Sequence, residues 1–147
     1  MRLSQHFSLA EFIRSDAARR IGDPNQPSPA HLANLKVTAA GMEAVREICG
    51  DRAVTITSGY RNPAVNRAVG GVTNSAHAQG FAADFHVAGL TPIAAARLIR
   101  KSDLKFDQLI LETSRKVVHI SFDPRLRGQV KTQKGGPGTA TVPGLVP

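Results

Sequence analysis

Residues 58–87, SGYRNPAVNRAVGGVTNSAHAQGFAADFHV, decide how the rest of the chain is read. Within them Ser75-Ala76-His77-Ala78-Gln79-Gly80-Phe81-Ala82-Ala83-Asp84 sets a histidine and an aspartate among small residues, with Gly80 free to turn the backbone between them. A second piece, Val117-Val118-His119-Ile120-Ser121-Phe122, carries a histidine in the middle of an apolar run. A histidine there is costly to bury without a partner, and metal ligation is one way to satisfy it. Zinc takes nitrogen and oxygen donors in a tetrahedral array, and catalytic zinc sites use three protein ligands with the fourth position open. His77, Asp84 and His119 suit that donor set, and Ala82 and Ala83 leave room around it. Spacing alone fits a second reading better: His77 in a solvated loop, Asp84 as a cap, and His119 as a satisfied core histidine.

Working outward, the flanking elements read as α+β. Ala53–Ser58 is a short β-branched run and predicts a strand. Asn62-Pro63 opens a short helix closed by Gly70-Gly71, and residues 72–80 form a loop around the first candidate ligand. Phe81–Val87 predicts a strand in which Asp84 and His86 share one face and Ala83, Phe85 and Val87 the other. Phe106–Glu112 and Val117–Phe122 predict a hairpin around the polar turn Thr113-Ser114-Arg115-Lys116.

Upstream, Ser28-Pro29 starts a helix on which Leu32, Leu35, Ala39, Met42, Val45 and Ile48 recur at helical spacing, ending at Gly50. Ser8-Leu9-Ala10-Glu11 reads as a capping box, and Thr91-Pro92 opens a further helix to Lys101. After Arg127 the composition turns to Gly, Pro, Thr and Lys. Residues 1–126 are therefore expected to form the domain, and 127–147 a mobile tail with nothing to pack.

The chain of 147 residues is long enough for one domain with its own core, and its single cysteine, Cys49, excludes an internal disulfide and a cysteine metal cluster. Any metal must therefore sit on histidine and carboxylate. No apolar run approaches the ~20 residues of a membrane span. The N-terminal residues carry Glu11 and Asp16 and lack an apolar core with a cleavage site, so no secretory signal is expected. A net charge of +8 implies attraction to a polyanion. The basic residues are dispersed and there is no tryptophan, so specific nucleic-acid binding is not expected.

Taken together, Ser58-Gly59-Tyr60-Arg61, Asn66 with Gly70-Gly71, the Ser75/His77/Gly80/Ala82/Asp84 block and Val118-His119-Ile120-Ser121 resemble the D-alanyl-D-alanine metallopeptidase family. That family includes zinc D-Ala-D-Ala carboxypeptidases, phage endolysins and the hedgehog-like fold, and the resemblance covers roughly Phe7 to Phe122. It implies a small antiparallel sheet carrying a Zn2+ site, packed against helices, with His77, Asp84 and His119 as ligands. It also implies that Arg61 clamps a substrate carboxylate or carbonyl, a task suited to a planar, permanently charged fork. Ser75 would then hydrogen-bond the substrate backbone; a hydroxyl that only stabilises its loop is the competing reading.

One departure concerns the base. Many members carry an acidic residue three positions before the last histidine, and here that position is Lys116. Across the hairpin, a four-residue turn pairs Glu112 with Val117 and Ile110 with His119, which puts Glu112 and His119 on one face within side-chain reach. An odd-length loop would turn Glu112 to the other face. On the even register Glu112 is the expected base, and a plain hairpin-end charge is the competing reading. Asp107 and His86 are weaker substitutes, and His86 is a candidate support for the ligands.

The resemblance implies a peptidoglycan stem-peptide substrate cut next to a D-amino acid, by carboxypeptidase or endopeptidase action. A monomer is expected, held on an anionic cell wall by its basic surface and reaching it after release from the cytoplasm or as part of a virion. The alternative is a non-catalytic zinc domain of the same fold that binds wall or protein.

Overall fold

Residues 1–136 and 138–147 are described by the structure, a computed structural model. The hairpin forms as its turn length dictates. Strands β3 (Gln108–Glu112) and β4 (Val117–Ser121) pair antiparallel with Ile110 opposite His119 and Glu112 opposite Val117. On the other side of β4 lies β2 (Ala82–Val87), in a register that sets Asp84 directly opposite His119. β1 (Val54–Ser58) pairs with β2 and forms one edge of the sheet.

Because successive side chains in a strand alternate between faces, this register sorts the sheet into two chemistries. Ile56, Ala83, Phe85, Leu109, Val118 and Ile120 are buried on one face, where they join the hydrophobic core. Asp84, His119 and Glu112 point to the other. Against the apolar face packs α3 (Pro29–Ile48), capped by Ser28 with proline in its first turn. Its Leu35, Ala39, Met42 and Val45 are fully buried, so truncating Met42 to alanine is expected to cost about 2–5 kcal/mol. α6 (Pro92–Lys101), capped by Thr91, packs beside it through Ala95, Ala96 and Ile99.

The N-terminal capping box forms as expected, with the Ser8 side chain accepting from the Glu11 amide and Glu11 returning the bond at the head of α1 (Leu9–Ile13). Ser15 caps α2 (Asp16–Ile21), and Asn62 caps α4 (Pro63–Ala68).

Two expectations are corrected. Residues 72–80 are not loop throughout: Ala76–Gln79 make a single helical turn, α5, capped by Ser75 and closed by Gly80 in the left-handed conformation (φ 84°). The segment after Arg127 is not a tail with nothing to pack. Gln129–Gln133 form β5, which pairs parallel with β3 along its whole length, and Val142–Pro143 form β6 on its outer side. The sheet thus has six strands in the order β1-β2-β4-β3-β5-β6. Thr132 explains why so polar a segment packs. Its side chain is buried, donating to the Gly144 carbonyl at 2.8 Å and accepting from the Val146 amide at 3.0 Å. Backbone ladder bonds and one satisfied hydroxyl replace the apolar contacts that the composition lacks.

Candidate metal centre

Three elements deliver the expected ligands. β2 and β4 present Asp84 and His119 from paired positions, and α5 lowers His77 onto them. The cap pair Ser75 and Gly80 fixes the start and stop of α5. Gly80 also passes close to α3: a Cβ there would lie 2.8 Å from the His31 carbonyl oxygen, so glycine is required by both space and backbone angle. Thr38 and Asn34 of α3 donate to the Gly80 and Gln79 carbonyls at 2.7 and 2.8 Å, tying α5 to the core helix.

Asp84 Oδ1 lies 3.2 Å from His77 Nε2 and 2.9 Å from His119 Nδ1. One donor atom from each of the three residues falls within 4.8 Å of the others. Donors bound to a tetrahedral zinc at 2.0–2.1 Å stand about 3.3 Å apart, so these separations suit the ion. The tautomer of His77 strengthens the fit. Its Nδ1 is 2.7 Å from the Gly59 carbonyl oxygen, which can only accept, so Nδ1 carries the proton. In the neutral ring Nε2 then turns a lone pair toward Asp84 Oδ1, an arrangement that a shared cation stabilises. Burial pushes the Asp84 carboxyl up, but positive charge and hydrogen bonds at its His77 and His119 edge outweigh it and hold the carboxyl well below the usual range, the same bias a shared cation supplies when the rings are neutral.

The Ser58–Asn62 segment forms a second wall. Gly59 runs so close to α1 that a Cβ would lie 2.6 Å from the Phe12 carbonyl oxygen, and the Tyr60 amide donates to that same oxygen at 2.7 Å. Asn25, which the sequence reading leaves in a loop, is fully buried. Its amide side chain donates to the Ile13 and Tyr60 carbonyls and accepts from the Asn62 amide, all at 2.9 Å. Asp23 adds a bond from the Asn62 side chain at 2.7 Å. Arg61 is thereby pinned, and its own amide donates to the His77 carbonyl at 3.1 Å. Its Nε is buried without a hydrogen-bond partner among the described residues. Burial lowers the Arg61 pKa, Asp84 and Glu112 push it back up, and Arg115 adds to the lowering, so all three charges lie in its field.

Glu112 is buried at the end of β3 on the face of His119. Its Oε1 accepts from Arg115, whereas Oε2 has no partner among the described residues. Arg115 also reaches Asp84 Oδ2 at 3.4 Å. Burial lowers the Arg115 pKa, but the Glu112 hydrogen bond and the Asp84 charge outweigh it and raise the value. Arg115 is the residue that sequence reading passes over, because a charge in a hairpin turn reads as solvated. The other two candidate bases stand apart. Asp107 precedes β3 at its far end and is bound by Arg127, and His86 is exposed two positions beyond Asp84. Ser75 accepts from the Ala78 amide at 3.2 Å, so its hydroxyl is engaged in capping α5.

The family model for peptidase M15 matches residues 5–121, which include every residue of this centre. The chain is also 42% identical over 52 residues to a zinc D-Ala-D-Ala carboxypeptidase of Streptomyces albus G. That match covers 35% of this chain and 20% of the relative, so the chain spans only a fraction of the relative's length. The two-histidine, one-carboxylate donor set agrees with zinc as the cofactor. The chain belongs to the peptidase M15 family.

Proposed function

We propose that this chain hydrolyses a peptide bond of the peptidoglycan stem next to a D-amino acid, with His77, Asp84 and His119 holding the zinc ion and Glu112 acting as general base and acid. The observation that carries this reading is the state of Glu112: a buried carboxylate beside the three ligands, one oxygen of which has no partner among the described residues. A buried carboxylate oxygen without a donor is costly for the fold, and such costs gather where chemistry needs a free proton acceptor.

Bound zinc supplies a Lewis acid and lowers the pKa of a nearby water toward neutrality. The side chains do the rest. Glu112 Oε2 takes a proton from the attacking water as the water oxygen bonds to the carbonyl carbon. Glu112 then gives that proton to the departing nitrogen as the C–N bond breaks, leaving a carboxylate and an amine. Arg61, with an unpartnered Nε in a dry wall of the site, faces negative charge developing on the carbonyl oxygen or carried by the substrate's own carboxylate. His77 keeps its orientation through the Gly59 carbonyl. The Ser75 hydroxyl, engaged in capping α5, supports the site through His77, and any contact with substrate backbone would add to that role.

The net charge of +8 supports attraction to an anionic cell wall, where the substrate lies. Among the described residues no helix is long and apolar enough to cross a membrane.

Mass spectrometry of purified muropeptides after digestion with and without chelator tests the reading and names the bond. Chelator-sensitive release of fragments ending at a D-residue is expected. Intact muropeptides after prolonged digestion by the zinc-loaded protein would contradict it and favour a zinc domain that only binds.

A further inference from the structure

We propose that Arg115 is a positioning residue of this centre: its guanidinium takes the outer oxygen of both Glu112 and Asp84, leaving the inner oxygen of each for the reaction and for the metal. The inference rests on the peptidase reading above. Each carboxylate has two equivalent oxygens and, left alone, can rotate either one inward. Arg115 removes that equivalence on both. Glu112 Oε1 accepts from Arg115 Nη2 while Oε2 has no partner among the described residues, and Asp84 Oδ2 lies 3.4 Å from the same nitrogen while Oδ1 faces His77 and His119.

The hairpin turn is built to hold this arginine. Arg115 sits three residues after Glu112, and Lys116 closes the turn with φ 57° and a bond from its amide to the Thr113 carbonyl at 3.3 Å. The turn is also latched to the far side of the sheet. Both the Thr113 amide and its hydroxyl donate to the Gln133 carbonyl at 3.1 Å, and the Ser114 hydroxyl donates to the Gly135 carbonyl at 2.8 Å. The strand β5 therefore braces the turn that aims Arg115. Arginine fits the task because its fork is planar, rigid and always charged.

A merely structural role makes a different forecast. The Arg115 side chain is 40% exposed, but the two carboxylates it pairs with are buried, so its removal would cost stability in a merely structural role. Loss of the pair alone would leave turnover unchanged. The test uses the full chain, zinc-loaded, with Arg115→Ala and Arg115→Gln, measuring bound zinc, kcat and KM on the muropeptide that the parent cleaves, with and without added methylguanidinium. Both variants are expected to keep one zinc per chain and a KM within about 3-fold, with kcat down about 100-fold, the scale of a misplaced catalytic group. Methylguanidinium is expected to return at least about 10-fold of kcat to Arg115→Ala by refilling the vacated position. Parental kcat in both variants, loss of zinc, or a kcat loss that methylguanidinium leaves untouched would each overturn the proposal. If Arg115→Ala does not fold, Arg115→Gln carries the kcat, KM and zinc comparison. A parent that cleaves nothing contradicts the peptidase reading instead, and is seen before any variant is made.

Discussion

The two ends of strand β3 each carry a buried carboxylate facing arginine, and they are finished differently. At the entry end, Asp107 is saturated. Its Oδ1 accepts from the Arg127 amide at 3.1 Å and from Nε at 2.8 Å, and its Oδ2 accepts from Arg127 Nη2 at 2.8 Å, with Arg125 Nη2 a further 3.7 Å away. At the exit end, Glu112 has one oxygen filled by Arg115 and one without a partner among the described residues. A closed ion pair ties the C-terminal segment to the sheet, whereas a half-open one leaves the acceptor that the proposed role of Glu112 requires. Completeness of hydrogen bonding, rather than burial or the presence of arginine, separates the structural cluster from the one proposed to react.

Breaking the end proposed to react should have the largest effect. His119→Ala removes a candidate ligand that Asp84 also orients, so bound zinc, measured by elemental analysis, is expected to fall from one per chain to near zero, with hydrolysis reduced to background. Breaking the structural end should show the reverse profile. Asp107→Asn is expected to cost roughly 2 kcal/mol in denaturant unfolding while leaving zinc content and kcat of the folded protein at parental values. A loss of zinc in Asp107→Asn would show that the two ends are not independent.

The Asp107 end also makes stability depend on acid. The Arg127 hydrogen bond, opposed by burial and aided by the charges of Arg127 and Arg125, holds the Asp107 carboxyl down to about 2, against 3.8 for a free aspartate. A folded value below the unfolded one means that the stabilisation is complete above pH 3.8 and is lost as pH falls toward 2. Urea unfolding from pH 5 down to 2 should therefore steepen below pH 4 in the parent and flatten in Asp107→Asn. The smallest effect is expected from Ser75→Ala. Loss of one helix cap costs about 1 kcal/mol, and looser seating of α5 should weaken zinc binding several-fold without abolishing it, as read by chelator competition.

Much of this arrangement is legible in the sequence. The four-residue turn Thr113–Lys116 dictates the register that brings Glu112 to the face of His119, because a two-residue side-chain period leaves no other solution. Ser28-Pro29 and the apolar spacing to Ile48 define the core helix for similar reasons. What escapes has physical causes. α5 is a single turn, too short for any periodicity, and only its cap pair Ser75 and Gly80 announces it. Gln129–Gln133 alternates weakly and lies among glycines. Its parallel pairing with β3 depends on a distant partner that no local preference encodes. Asn25 and Arg115 act through side chains that fold back on the site from a loop and a turn, where composition reads only as solvated polarity.

The contrast between the two carboxylates is tested most directly by Glu112→Gln, compared with the parent for bound zinc and for muropeptide turnover in one preparation. The account predicts one zinc per chain in both proteins and a kcat lower by roughly 10²–10⁴-fold in the variant, the usual contribution of a positioned acid–base group. Full zinc with parental turnover would contradict it, and the unpartnered oxygen of Glu112 would have no part in the reaction.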